Sequence, residues 1–142
     1  MKLSTKGRYG TRLMLDLATY YGKGPVALKD IAKRQEISEK YLWQLISPLK
    51  IAGLVNSTRG PSGGYTLAKK PSEITLNDIV SVLDGPLCIV DCVKDPSLCK
   101  RSANCVTREV WSETSEELSK VLASKTLEDM IRKQKNKDSP GT

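Results

Sequence analysis

Four cysteines and no histidine set the limits of the metal and redox chemistry open to this 142-residue sequence. All four thiols fall in one stretch, CIVDCVKDPSLCKRSANC, residues 88–105, with the spacing Cys-x3-Cys-x6-Cys-x5-Cys. A thiolate is a soft metal ligand and a redox nucleophile. A zinc ribbon would show paired Cys-x2–4-Cys knuckles, and a zinc finger would use histidine. The Cys-x2-Cys of a thiol oxidoreductase is missing as well. Irregular loop spacings suit thiolates set around a bulkier iron–sulphur cluster. On this chemistry a cluster, a zinc ion and thiol redox or disulfide switching all stay open. An enzyme is not expected, since no nucleophile–base pair and no cofactor loop accompanies the thiols.

The elements that must carry this segment lie on both sides of it. The chain bears +7, and its first 84 residues hold 13 Lys and Arg against 7 Asp and Glu. That excess suits a polyanionic partner. No apolar run approaches a membrane span, and the N-terminus lacks a signal-peptide pattern, so a cytoplasmic protein without a membrane partner is expected. Tyr9, Leu13, Leu17 and Tyr20 repeat at helical spacing. Two shorter helical segments follow, LKDIAKRQ and EKYLWQLISPLKI, with Ser38 placed to cap the second. Leu42, Leu45, Ile46 and Leu49 form its buried row, and Lys40, Trp43, Gln44 and Ser47 the opposite face. A solvated helix face is the plain reading of such polar residues, but an outward indole favours a partner surface. Two β-prone runs around Arg59-Gly60-Pro61-Ser62-Gly63-Gly64 then predict a hairpin. No Gly-Lys-Ser/Thr follows, which excludes a phosphate-binding loop. The fold expected is mainly α with a small β-hairpin, a winged helix-turn-helix followed by a long C-terminal dimerisation helix.

The stretches STKGRYG, GPVALKDIAKRQEISEKYLWQL, STRGPSGGYTLA and ITLNDIVSVLDGP resemble the bacterial winged-helix regulators of the IscR type, over roughly residues 1–132. The resemblance implies a homodimer on palindrome-like double-stranded operator DNA. It implies that Lys40, Tyr41 and Gln44 approach the major groove. Ser38 and Trp43 join the expected DNA-facing set by their place on the same helix, and Trp43 departs from the family pattern, which often has an acidic residue there. Arg59, Gly60 and Pro61 would approach the minor groove. It also implies a 2Fe–2S cluster, with 4Fe–4S as the other option, control of iron–sulphur biogenesis genes, and contact with iron–sulphur assembly proteins. Cys92, Cys99 and Cys105 match the family's three loop cysteines. The family motif that begins at Cys105 ends in a ligand histidine, whereas here it ends in Arg108, which offers no lone pair. The family's other fourth ligand, an N-terminal Asp of the partner, corresponds to Arg8. Cys88 is then the first substitute, with Asp91, Glu109 or an exogenous ligand behind it; the plain reading of Cys88 is a small packed thiol. The alternatives in function are a zinc- or thiol-responsive regulator of the same fold, or a relative that acts through an enzyme partner.

The expected division is therefore a DNA-binding domain at 1–84, a cluster-binding loop at 85–105, a dimerisation helical segment at 106–133 and a disordered tail at 134–142. Val110, Trp111, Leu118, Val121 and Leu122 form the apolar side of the dimerisation segment, and a symmetric partner helix would cover it.

Overall fold

The computed structural model describes residues 3–138, which form seven helices and one hairpin. Helix α1 (Thr5–Thr19) begins at Ser4, whose hydroxyl accepts the Gly7 N–H at 3.1 Å. Helices α2 (Leu28–Gln35) and α3 (Glu39–Ile51) are joined by a short turn in which Glu36 takes φ 54°. That left-handed residue ends α2 and turns the chain toward Ser38, the cap of α3. Leu13, Met14 and Leu17 of α1 meet Ile31 of α2 and the row Leu42, Leu45, Ile46 and Leu49 of α3 in one aliphatic core. Each of these side chains contributes on the order of 1.5–3 kcal/mol by leaving water. A core without phenylalanine is closed in this way mainly by Leu and Ile, with Met14, Ala18, Val26 and Val55.

Strands β1 (Val55–Thr58) and β2 (Gly64–Leu67) pair antiparallel, with Val55 opposite Leu67 and Thr58 opposite Gly64. Val26 adds a two-way backbone bridge to Tyr65, both hydrogen bonds at 2.9 Å, and so ties the hairpin to the α1–α2 connection. The helix-turn-helix and the wing expected from the sequence are both present.

Helix α4 (Leu76–Asp84) starts with a reciprocal capping box between Thr75 and Asp78. It crosses α1 at Gly10, where an added Cβ would stand 2.0 Å from Leu83 Cδ1. Glycine there lets the two helices approach closely. Asp84 accepts hydrogen bonds from the Ser4 backbone and hydroxyl, which pins the end of α4 to the start of α1.

After the cysteine segment, which contains the one-turn helix α5 (Asp91–Lys94), come α6 (Val106–Ala123) and α7 (Leu127–Asp138). Two expectations need correction here. Residues 106–133 are not one helical unit: the chain breaks at Ser124–Thr126, and α7 returns to the N-terminal core with Leu127 fully buried. Backbone bonds from Leu76 to Lys125 (2.8 Å) and from Leu127 to Ile74 (3.0 Å) fix that return. Nor are residues 134–138 disordered, because α7 continues to Asp138; residues 139–142 lie outside the described residues. The reason is a short apolar stripe, Leu127, Met130 and Ile131, at the i, i+3, i+4 spacing that seats a helix on a neighbour. No helix of the described residues is long and apolar enough to cross a membrane.

Candidate nucleic-acid interface and thiol loop

Recognition chemistry gathers on the outer side of α3. The Ser38 hydroxyl accepts the Tyr41 N–H at 3.1 Å, so its first role is to begin the helix. Lys40, Trp43, Gln44 and Ser47 point to solvent, and Trp43 is 58% exposed. Tyr41 differs. It is half-buried, and its ring stands edge-on to Tyr9 of α1, 5.7 Å between centroids. Arg59, Gly60 and Pro61 are exposed at the tip of the hairpin, where Gly60 takes φ 109° and its carbonyl accepts the Gly63 N–H at 3.0 Å. A residue with a side chain would be strained at that φ.

Helix and wing share one concave surface. A hollow of about 510 Å³ lies between them, lined by Trp43 and Ser47 on one side and by Thr58, Arg59 and Gly60 on the other. Lys50, Ile51 and Tyr65 line it too, and the sequence reading had not singled them out. Ile51 is 85% exposed. It lies two residues past Leu49 and therefore on another face than the buried row.

An ion pair with a buried carboxylate holds this surface to the rest of the domain. Asp16 of α1, 4% exposed, accepts two bonds from the Arg34 guanidinium (2.8 and 3.0 Å) and one from Gln35 (3.0 Å). The hydrogen bond to Asp16 holds the Arg34 pKa above its ordinary value. Arg34 also lies over the Tyr20 ring at 4.5 Å. These contacts fasten α2, and with it the turn that aims α3.

The thiol segment is attached to α6 at two points. Ser115, buried, accepts the Ile89 N–H at 3.0 Å and donates to the Trp111 carbonyl at 2.8 Å. Arg108 donates from Nε to the Cys92 carbonyl at 2.9 Å. Between these anchors the backbone consists of α5 and two 3-10 turns. Cys105 immediately precedes α6, and its Sγ lies 3.1 Å from the Thr107 hydroxyl. That hydroxyl, together with the Arg108 and Thr107 backbone N–H groups and the Arg101 charge, lowers the Cys105 pKa.

All four cysteines are free thiols, and Cys99 is exposed while the other three are half-buried. Three of them face different hollows. Cys88 lies beside Leu87 and Val93, Cys99 beside Ser97 and Ser102, and Cys105 beside Lys100 and Arg101. Among the described residues no three Cys, Asp or Glu groups gather where one metal ion could bind. The donor set thus suits a cluster in kind, being soft thiols on one short segment, although three of them line different hollows.

The expected dimerisation residues divide in burial. Val110, Trp111 and Val121 are exposed on α6, with Leu118 and Leu122 half-buried beneath them. Val106, 69% exposed, extends the apolar face to the start of the helix.

Known proteins resemble the whole of this arrangement. The chain is 47% identical over 130 residues to the HTH-type transcriptional regulator CymR of Bacillus subtilis, covering 92% of this chain and 89% of that protein. It is 39% identical over 141 residues to the HTH-type transcriptional regulator IscR of Photorhabdus laumondii, covering 99% and 85%. The solved structure of T. potens IscR superposes with a TM-score of 0.80 at 43% identity, over 100% of this chain and 93% of the other. The Rrf2 family, described as "Iron-dependent Transcriptional regulator", matches residues 3–133, and the chain belongs to that family.

Proposed function

We propose that this transcriptional regulator acts as a homodimer that reads operator DNA with α3 and the wing, and that its thiol loop answers to iron–sulphur cluster supply, with biogenesis genes as targets. The observation that carries the DNA half is the concave surface shared by Trp43, Ser47, Lys50 and Arg59, set in the more basic part of the chain. Lys and Arg serve phosphates, Gln44 suits an adenine edge, and Trp43 offers an apolar contact to a thymine methyl. The exposed apolar face of α6 supports a symmetric partner, because dimers match two operator half-sites.

The cluster reading rests on Cys92, Cys99 and Cys105 and their family spacing, with Cys88 as the fourth ligand. Since three of the thiols face separate hollows, ligation requires the loop to close. A second reading is favoured by one observation, the Thr107 hydroxyl 3.1 Å from the Cys105 Sγ at the start of α6. That hydroxyl and the nearby backbone N–H groups favour the ionised thiol, which suits zinc ligation or reversible oxidation as well.

One experiment separates these readings. The protein is purified without oxygen, its metal content and visible and EPR spectra are recorded, and operator binding is measured before and after loss of the chromophore. Iron, inorganic sulphide and a visible chromophore whose loss changes operator affinity are expected. Colourless protein with stoichiometric zinc, or metal-free protein whose DNA binding follows thiol oxidation, overturns the cluster reading. Absence of operator binding at low salt overturns the DNA reading.

A further inference from the structure

On the side of the domain formed by the end of α1, the segment after β2 and α7, the chain forms a second, half-open cavity of about 530 Å³. We propose that this cavity binds a small organic anion, a molecule with a doubly charged head, a phosphate monoester or a dicarboxylate, and a compact apolar body.

Charge selects the head. Lys23, Lys70, Arg132 and Lys135 line the cavity against one carboxylate, Glu128. Arg132 is already engaged by Asp129. Lys23, Lys70 and Lys135 form no ion pair among the described residues, and they come from three separate chain segments. Like charges brought together by tertiary folding repel, and an anion among them relieves that repulsion. Shape selects the body. The cavity also has an apolar part, Ala18, Pro71 and Ile131, with Tyr21 at its edge, 45% exposed. A basic patch that only tracked a nucleic-acid backbone would need no such hollow. The volume falls in the range of small-molecule sites.

Position separates this cavity from the DNA-reading surface. It shares no lining residue with the hollow between α3 and the wing. Lys70 follows the root of β2, at the opposite end of that strand from Gly64 and the tip. A ligand joining Lys70 to Lys135 would fasten α7 to the base of the wing, which places an effector where it can adjust wing position. This reading is independent of the thiol loop.

Phenyl phosphate is a suitable probe, since it joins a dianionic head to an apolar ring; inorganic phosphate and benzyl alcohol represent each half alone. Amide NMR of the full-length protein should show saturable shifts confined to residues 18–23, 70–72 and 128–135. Affinity should exceed that of either half-ligand at least tenfold. Lys70→Glu with Lys135→Glu should weaken phenyl phosphate at least tenfold while leaving the amide spectrum of α3 unchanged; both lysines are exposed, so the fold should tolerate the change. Two results would overturn the proposal. One is equal affinity for inorganic phosphate alone, or shifts scattered over lysines elsewhere, meaning simple counter-ion binding. The other is unchanged phenyl phosphate affinity in the double variant together with a shallower salt dependence of DNA binding, meaning that the lysines serve the DNA backbone.

Discussion

Arg108 donates from its Nε to the Cys92 carbonyl at 2.9 Å, so the residue that stands where the family resemblance puts a ligand histidine ties down the backbone of a candidate ligand. A guanidinium can only donate, and here its hydrogen bond spans from α6 to α5. It makes Arg108 a fastener of the thiol loop.

Removing that fastener should loosen the loop and little else. Arg108→Ala is expected to raise amide exchange across residues 90–99 at least tenfold, while α1 to α4 keep their protection. Global stability should fall by no more than about 1–2 kcal/mol, the scale of one partly exposed charged hydrogen bond. Unchanged protection at Cys92 and Val93 would show that Arg108 does not hold the loop.

Trp43 and Arg59 should separate two kinds of DNA contact. Trp43 is largely exposed, so Trp43→Ala should shift stability by no more than about 0.5 kcal/mol. Operator affinity should nonetheless fall about tenfold or more, and more for the operator than for random DNA, because an apolar base contact carries sequence information. Arg59→Ala should weaken both DNAs similarly and reduce the salt slope by about 1. Equal binding by Trp43→Ala and the unmodified protein would remove Trp43 from the interface.

The parts of this molecule that were legible in its sequence are those whose signals are local. Ser38 as a helix cap, the buried row of α3 and the glycines of the wing follow from spacing and backbone preference over a few residues. The destination of α7 was not legible. Leu127, Met130 and Ile131 make a stripe of barely one turn amid charged neighbours, and only tertiary contact with α1 gives it a purpose. The role of Asp16 has no local signal either, because its partners Arg34 and Gln35 are 18 and 19 residues away. The thiols were legible as a set but not as a geometry. Their side chains are placed by Arg108, Ser115 and two 3-10 turns, none of which follows from cysteine spacing.

The pair Asp16–Arg34 should therefore be costly to break from one side. Arg34→Met leaves a buried carboxylate with Gln35 as its remaining partner. Loss of about 2–4 kcal/mol in urea unfolding is expected, below the upper range for buried pairs because Arg34 is 36% exposed. Asp16→Asn with Arg34→Met should cost less than the sum of the single changes. Strict additivity in that cycle would mean the two side chains do not act as a pair.

On α6, Val110→Glu should dissociate the dimer proposed above, since a carboxylate in an apolar face covered by a partner helix would lose its water without gaining a partner. Sedimentation is expected to show monomer at micromolar concentration, with operator affinity reduced at least tenfold through loss of the second half-site. Val110 is exposed within one chain, so the monomer should keep its helical circular dichroism. A Val110→Glu protein that stays dimeric would move the interface elsewhere.

Acid should release α7 before the core. Asp129 and Thr126 cap each other reciprocally, with Asp129 Oδ2 accepting the Thr126 N–H at 3.0 Å and Thr126 Oγ1 accepting the Asp129 N–H at 3.1 Å. The backbone and hydroxyl of Thr126, then the guanidinium of Arg132, lower the Asp129 pKa. A carboxyl depressed in the folded protein stabilises it fully above its unfolded pKa, about 3.9. That contribution is lost as pH falls through the lower folded value. Amide shifts of Leu127 to Met130 should therefore titrate below about pH 4, together with faster exchange at the start of α7. Asp129→Asn should remove this titration while leaving that of Asp95, held low by Ser97 in the thiol loop. Persistence of the α7 transition in Asp129→Asn would assign it to another carboxylate.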